Sequence, residues 1–145
     1  MNKDPYAAGK FAANPYAAKT DVTGSLVAIL RGKLADRGLE LIKPISRCIR
    51  RDEIHELILT DEDARPGGRV DSIAYLGFAE FASGGAIVAG DAVHLDGRQI
   101  GTLAGFDETH MPNHLNIVIR TTDLTDGVGR GARLGMTLSF VAPRD

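Results

Sequence analysis

Asp107, Glu108, His110, Asn113, His114 and Asn116 crowd into one stretch, GFDETHMPNHLNIVI (Gly105–Ile119), between two apolar runs. These are the residue types of proton transfer. A histidine titrates at about pH 6.5, and a neighbouring carboxylate orients its ring or raises its pKa. His110 or His114 is the candidate acid or base, with Asp107 or Glu108 as its partner. Asn113 and Asn116 can hold a substrate carbonyl or carboxylate by hydrogen bonds. Arg120 follows on the same strand parity as His114 and Asn116 and is the natural partner of an anionic substrate.

The same residues invite a metal reading. Asp107, Glu108, His110 and His114 are all competent ligands. His110 and His114 are four apart, which on a helix puts both imidazoles on one face. Pro112 lies between them and Gly105 before them, so a helix is not expected. The expectation is a site with no metal and no cofactor. Asp, Asn and Pro are also ordinary turn formers, because they hydrogen-bond the backbone or fix φ.

Strand parity decides what these side chains face. Leu115, Ile117 and Ile119 share one parity; His114, Asn116, Val118 and Arg120 share the other. A site inside a barrel needs the first set to pack an outer layer and the second to line the interior. The reverse leaves His114 and Asn116 in solvent. His94, of opposite parity to Asp91, is a further candidate for the interior and for substrate binding. His55, among Arg51, Glu53 and Glu56, reads as part of a solvated helix face, and Arg47, Arg50 and Arg51 as a solvated strand end. Cys48 reads as a small apolar filler; the nearby arginines would lower its pKa if it were a nucleophile.

A length of 145 residues suits one domain, and 43% hydrophobic with 25% charged is globular. The net charge of -2 leaves no broad basic field, so nucleic acid is not an expected partner. Apolar runs are too short to span a membrane. One cysteine allows no internal disulfide and fits a cytoplasmic setting. No phosphate-binding loop, dinucleotide fingerprint, nucleophile elbow or CxxC pair is present.

Residues 1–21 read as a flexible tail in which DPYAAGK (Asp4–Lys10) recurs as NPYAAK (Asn14–Lys19). Residues 22–145 read as one β domain. Strands are expected over Ser25–Gly32, Leu39–Arg51, Val70–Phe81, Asp91–Leu95, Gln99–Phe106, Asn113–Thr122 and Gly131–Val141. Asp96–Gly97 is a hairpin signal, and Arg51–Ala64 reads as a short helix on the spacing of Ile54, Leu57 and Ile58. The sum is all-β: a small closed or partly open β-barrel of about seven or eight strands with at most one short helix.

The texture GAIVAGDAV, IGTLAGF, NHLNIVI and GARLGMTLSF across residues 84–141 resembles the sorbitol-type IIA components of bacterial sugar phosphotransferase systems. The resemblance covers about 40% of the chain and implies a small β-barrel. That family carries a phosphorylated histidine in its earlier half, where this chain offers His55 in a different setting. The chain is also similar to small bacterial β-barrel proteins to which no activity attaches. The leading expectation is therefore an acid–base enzyme of isomerase, cyclase or lyase type, acting on a small polar or anionic metabolite. The alternatives are a phosphocarrier and a non-catalytic binding or assembly module. A chain this small has limited surface to bury, and a homodimer is expected.

Overall fold

The computed structural model describes residues 15–143; the first PYAA unit lies outside them. Twelve strands follow in order: β1 (Val22–Ile29), β2 (Lys33–Leu34), β3 (Leu39–Glu40), β4 (Ser46–Ile49), β5 (Ile54–Thr60) and β6 (Arg69–Val70). Then come β7 (Ile73–Phe81), β8 (Gly85–Val88), β9 (Ala92–Leu95), β10 (Arg98–Asp107), β11 (Asn116–Arg120) and β12 (Thr137–Val141). No helix occurs among the described residues, so none is long and apolar enough to cross a membrane.

Seven strands close into a ring in the order β1-β12-β9-β10-β11-β5-β7, and β7 returns to β1. All contacts around it are antiparallel except β11–β5. The all-β expectation holds, and the ring has the expected seven strands; five shorter ones, β2, β3, β4, β6 and β8, lie outside it. The Asp96–Gly97 turn also forms as its residues dictate. Both sit at positive φ, 54° and 81°, and join Leu95 to Arg98 in a two-residue hairpin.

Two apolar layers explain the burial. The ring interior holds Phe81, Phe106 and Phe140 with aliphatic residues from every ring strand. Each large side chain so buried contributes about 1.5–3 kcal/mol. A second cluster lies on the outer face of β5, β7, β10 and β11. There Ile58, Ile73, Ala104 and Val118 are covered by Leu39, Leu41, Ala64 and Val70. The β3–β6 pair carries this cover.

That second layer corrects the helix expected over Arg51–Ala64. The segment is strand β5, and Leu57, Ile58 and Leu59 are all fully buried because both faces are covered. A strand buried on both faces loses its alternation and reads as a continuous apolar run. His55 moves with it, from a solvated helix face to a strand position only 6% exposed. Cys48 is corrected the other way: it lies on β4 but is exposed. Residues 15–21 are mostly exposed but touch the β domain at two side chains. Lys19 forms a 2.8 Å ion pair with buried Asp91, and Tyr16 hydrogen-bonds Ser46.

Glycine is required where strands approach closely at irregular register. A Cβ on Gly77 would lie 2.2 Å from the Ala28 carbonyl oxygen, beside the shift in the β1–β7 register that closes the ring. A Cβ on Gly101 would lie 2.0 Å from the Arg120 carbonyl oxygen, beside a shift between β10 and β9.

Candidate metal centre

The stretch that concentrates polar chemistry is the turn between β10 and β11. Its base is clamped by Asp107, which is 2% exposed and pairs across the hairpin with Asn116. The Asp107 carboxylate accepts from the Thr109 amide (2.9 Å), the Asn116 Nδ2 (3.1 Å) and the Glu40 amide (3.1 Å). Burial alone would raise its pKa. The donors from Thr109, Glu40 and Asn116 outweigh burial and hold the carboxyl below the usual aspartate range.

Above this clamp the chain folds back on itself. The Asn113 and His114 amides both donate to the His110 carbonyl, at 2.9 and 3.3 Å. This single turn does what a helix would have done. It sets the two imidazoles 5.1 Å apart with 34° between their planes. Pro112 excludes a continuing helix but not one isolated turn, so the objection to a shared histidine face does not hold.

Parity is the reverse of what a site inside the ring requires. Leu115, Ile117 and Ile119 fill the interior. Asn116 and Val118 face outward, beneath the second layer rather than in solvent, and both are fully buried. His114 precedes them at the edge of that cover. There it meets Glu56, from the outward face of neighbouring β5. Its Nε2 lies 3.1 Å from Glu56 Oε1, and Glu56 is 7% exposed.

The surroundings fix this pair. A carboxylate only accepts, so His114 Nε2 carries the hydrogen in this contact, and the Asn113 Nδ2 donates to Nδ1 at 2.9 Å. The Phe78 ring meets the His114 ring edge-on at 5.0 Å. The Leu115 amide donates to His55 Nδ1 (2.9 Å), so His55 Nε2–H donates to Glu53 (2.9 Å). Burial raises the Glu53 pKa, but the His55 hydrogen bond, the Arg50 backbone and the charges of His55 and Arg47 together outweigh it and hold the carboxyl below its usual range. His55 thus anchors the backbone next to His114.

His110 completes the cluster. One donor atom each from Glu56, His110 and His114 lies within 4.8 Å of the other two. Ligands about 2.1 Å from a tetrahedral metal are about 3.4 Å apart. The Glu56–His114 pair already meets that spacing, and the remaining distances close by at most about 1.4 Å. His110 is exposed on its turn and can supply that movement. Two imidazoles and one carboxylate suit Zn²⁺ and leave a coordination position open.

The other expected site residues lie elsewhere. Asp107 is the clamp, and Glu108 faces Arg47 at 3.6 Å. Asn116 is bound to Asp107 and cannot reach a substrate; its buried Oδ1 has no partner among the described residues. Asn113 orients His114. Arg120, at the far end of β11, pairs with Asp63 at 2.9 Å. His94 faces away from the interior, which Val93 and Leu95 occupy. Two residues not expected in the site join it: Glu56, read from the sequence as part of a solvated helix face, and Arg37, whose Nη2 lies 3.4 Å from His110 Nε2. Glu56 was visible as a carboxylate directly before the apolar run Leu57–Leu59; nothing local marked Arg37.

Residues 16–141 match a family of unknown function (DUF6917). No curated protein and no solved structure matches the chain.

Proposed function

We propose a metal-dependent activity for this chain, which belongs to the family DUF6917. Glu56, His110 and His114 bind one divalent ion of the Zn²⁺ type, and the centre acts on a small polar or anionic molecule. The observation that carries this reading is the convergence of three chemically suited donors from two segments far apart in the chain. When bound, such an ion acidifies a coordinated water to a pKa of about 7 and polarises a carbonyl. That is the chemistry of proton abstraction in isomerases and lyases. It keeps the acid–base class expected from the sequence but changes the roles: the histidines hold the ion.

The protein's own groups support the binding state. Rotating the Asn113 amide by half a turn presents its oxygen to Nδ1–H of His114, which frees Nε2 for the ion. The Phe78 ring and the second layer limit water at Glu56. The 3.1 Å His114–Glu56 contact also favours a second reading, metal-free proton transfer by that pair. No observation favours a phosphocarrier centred on His55, because both its ring nitrogens are engaged. The single cysteine fits a reducing cytoplasm.

Calorimetric titration of the full chain with Zn²⁺ after chelator treatment tests the proposal. One equivalent should bind, and His110→Ala and His114→Ala should each weaken binding by about a hundredfold, while His94→Gln leaves it unchanged. Absence of stoichiometric binding, or equal binding by His114→Ala, overturns the metal reading and leaves the metal-free pair.

A further inference from the structure

Arg37 is the cation that this site does not explain. Its backbone is held by a hydrogen bond from its amide to the Asp71 carbonyl. Its side chain has no carboxylate partner among the described residues, as is also true of Arg31, Arg50 and Arg98; what sets Arg37 apart is its place beside the histidine cluster. Its one contact is with His110 Nε2. A guanidinium only donates. His110 Nε2 is therefore the lone-pair nitrogen in this contact, the form in which it would ligate an ion.

The arrangement creates a charge problem that points to a ligand. A divalent ion on Glu56 and two neutral imidazoles leaves net positive charge at the centre. Arg37 adds another beside it. With His110 Nε2 on an ion, the guanidinium would lose its acceptor among the described residues and would stand near a like charge. A small oxyanion resolves both defects. One oxygen takes the open metal position, and a second accepts from the guanidinium fork.

We propose that Arg37 and the metal together form the binding site for the carboxylate or phosphate group of the small-molecule substrate. This rests on the metal reading above and adds the substrate class to it. The anion-binding role expected of Arg120 passes to a residue two positions before the covering strand β3.

Full-length protein loaded with Co²⁺ and titrated separately with acetate and with inorganic phosphate tests this through the visible absorption of the ion. At least one anion should perturb the spectrum saturably, and the one that does identifies the group. In Arg37→Met the affinity for that anion should fall by about tenfold or more, while the Co²⁺ affinity is unchanged or higher because a like charge has gone. Arg37→Lys, which keeps the charge and loses the fork, should fall between. A merely structural Arg37 would instead lower Co²⁺ affinity along with the anion's. Equal anion affinity in native and Arg37→Met protein, or no response to either anion, overturns the proposal while the metal site stands. Failure of Co²⁺ to bind overturns both.

Discussion

Replacing Glu56 by Gln separates a metal site from a buried hydrogen bond. In the metal-free protein the change is mild. The Gln Oε1 still accepts from His114 Nε2, so only the charge-assisted part of one bond, about 1 kcal/mol, is lost. In the presence of metal the change is large. Structural zinc sites with four ligands bind with about 10–16 kcal/mol, or roughly 3 kcal/mol per ligand, which is about a hundredfold in affinity. At Zn²⁺ one hundred times the native Kd, linkage stabilises the native chain by about 2.7 kcal/mol. For a domain of this size, at about 4 °C per kcal/mol, Tm rises by about 10 °C. The variant at the same Zn²⁺ concentration sits near its own Kd, gains about 0.4 kcal/mol and rises by about 2 °C. Thermal unfolding followed by circular dichroism, with Zn²⁺ and with chelator, reads all four values. A Glu56→Gln protein whose Tm rises with Zn²⁺ as much as the native one refutes the assignment. A variant that melts far below native in chelator shows that Glu56 is chiefly structural.

Asn113→Ala should weaken Zn²⁺ binding by about 10–100-fold without abolishing it, since it orients His114 and is not a ligand; calorimetry reads the difference. Gly77→Ala should cost about 3 kcal/mol, because the new Cβ meets the Ala28 carbonyl at 2.2 Å and both partners are backbone; the urea midpoint measures it. Lys19→Met should cost about 3–5 kcal/mol, because it leaves the buried Asp91 carboxylate with the Val88 amide as its one donor among the described residues; the same denaturation series tests it. The lowered pKa of Asp107 gives stability that is present above the unfolded value of about 3.9 and is lost as pH falls below it. Asp107→Asn should therefore flatten the acid limb of a stability profile between about pH 5 and 2.

What the sequence revealed depended on whether local chemistry was enough. Asp96–Gly97 specifies its hairpin alone, since few other pairs tolerate positive φ twice. Strands with one wet face, such as β9 and β12, keep the alternation that betrays them. β5 does not, because its outer face is covered by residues from two distant segments, and no window around it records that cover. The histidine turn was legible as a cluster but not in its geometry. Pro112 argues against a helix, and only the fold shows that one turn suffices. Glu56 and Arg37 reach the cluster by strand pairing and by the β3 segment, so spacing along the chain holds no record of them.

The ring has a consequence for how the protein is made. β1 is hydrogen-bonded on one side to β7 and on the other to β12, and β12 also pairs with β9. A ribosome delivers Val22 long before Thr137. Throughout that interval β1 and β9 each present an unsatisfied backbone edge, and the sheet stays open like a staved cask lacking one stave. Open edges recruit other strands. A message truncated ahead of Thr137 therefore yields a polypeptide that has most of its apolar interior and nothing to seal it. Such fragments should be found with chaperones or in inclusion bodies, while the chain that gains those five residues closes and leaves them.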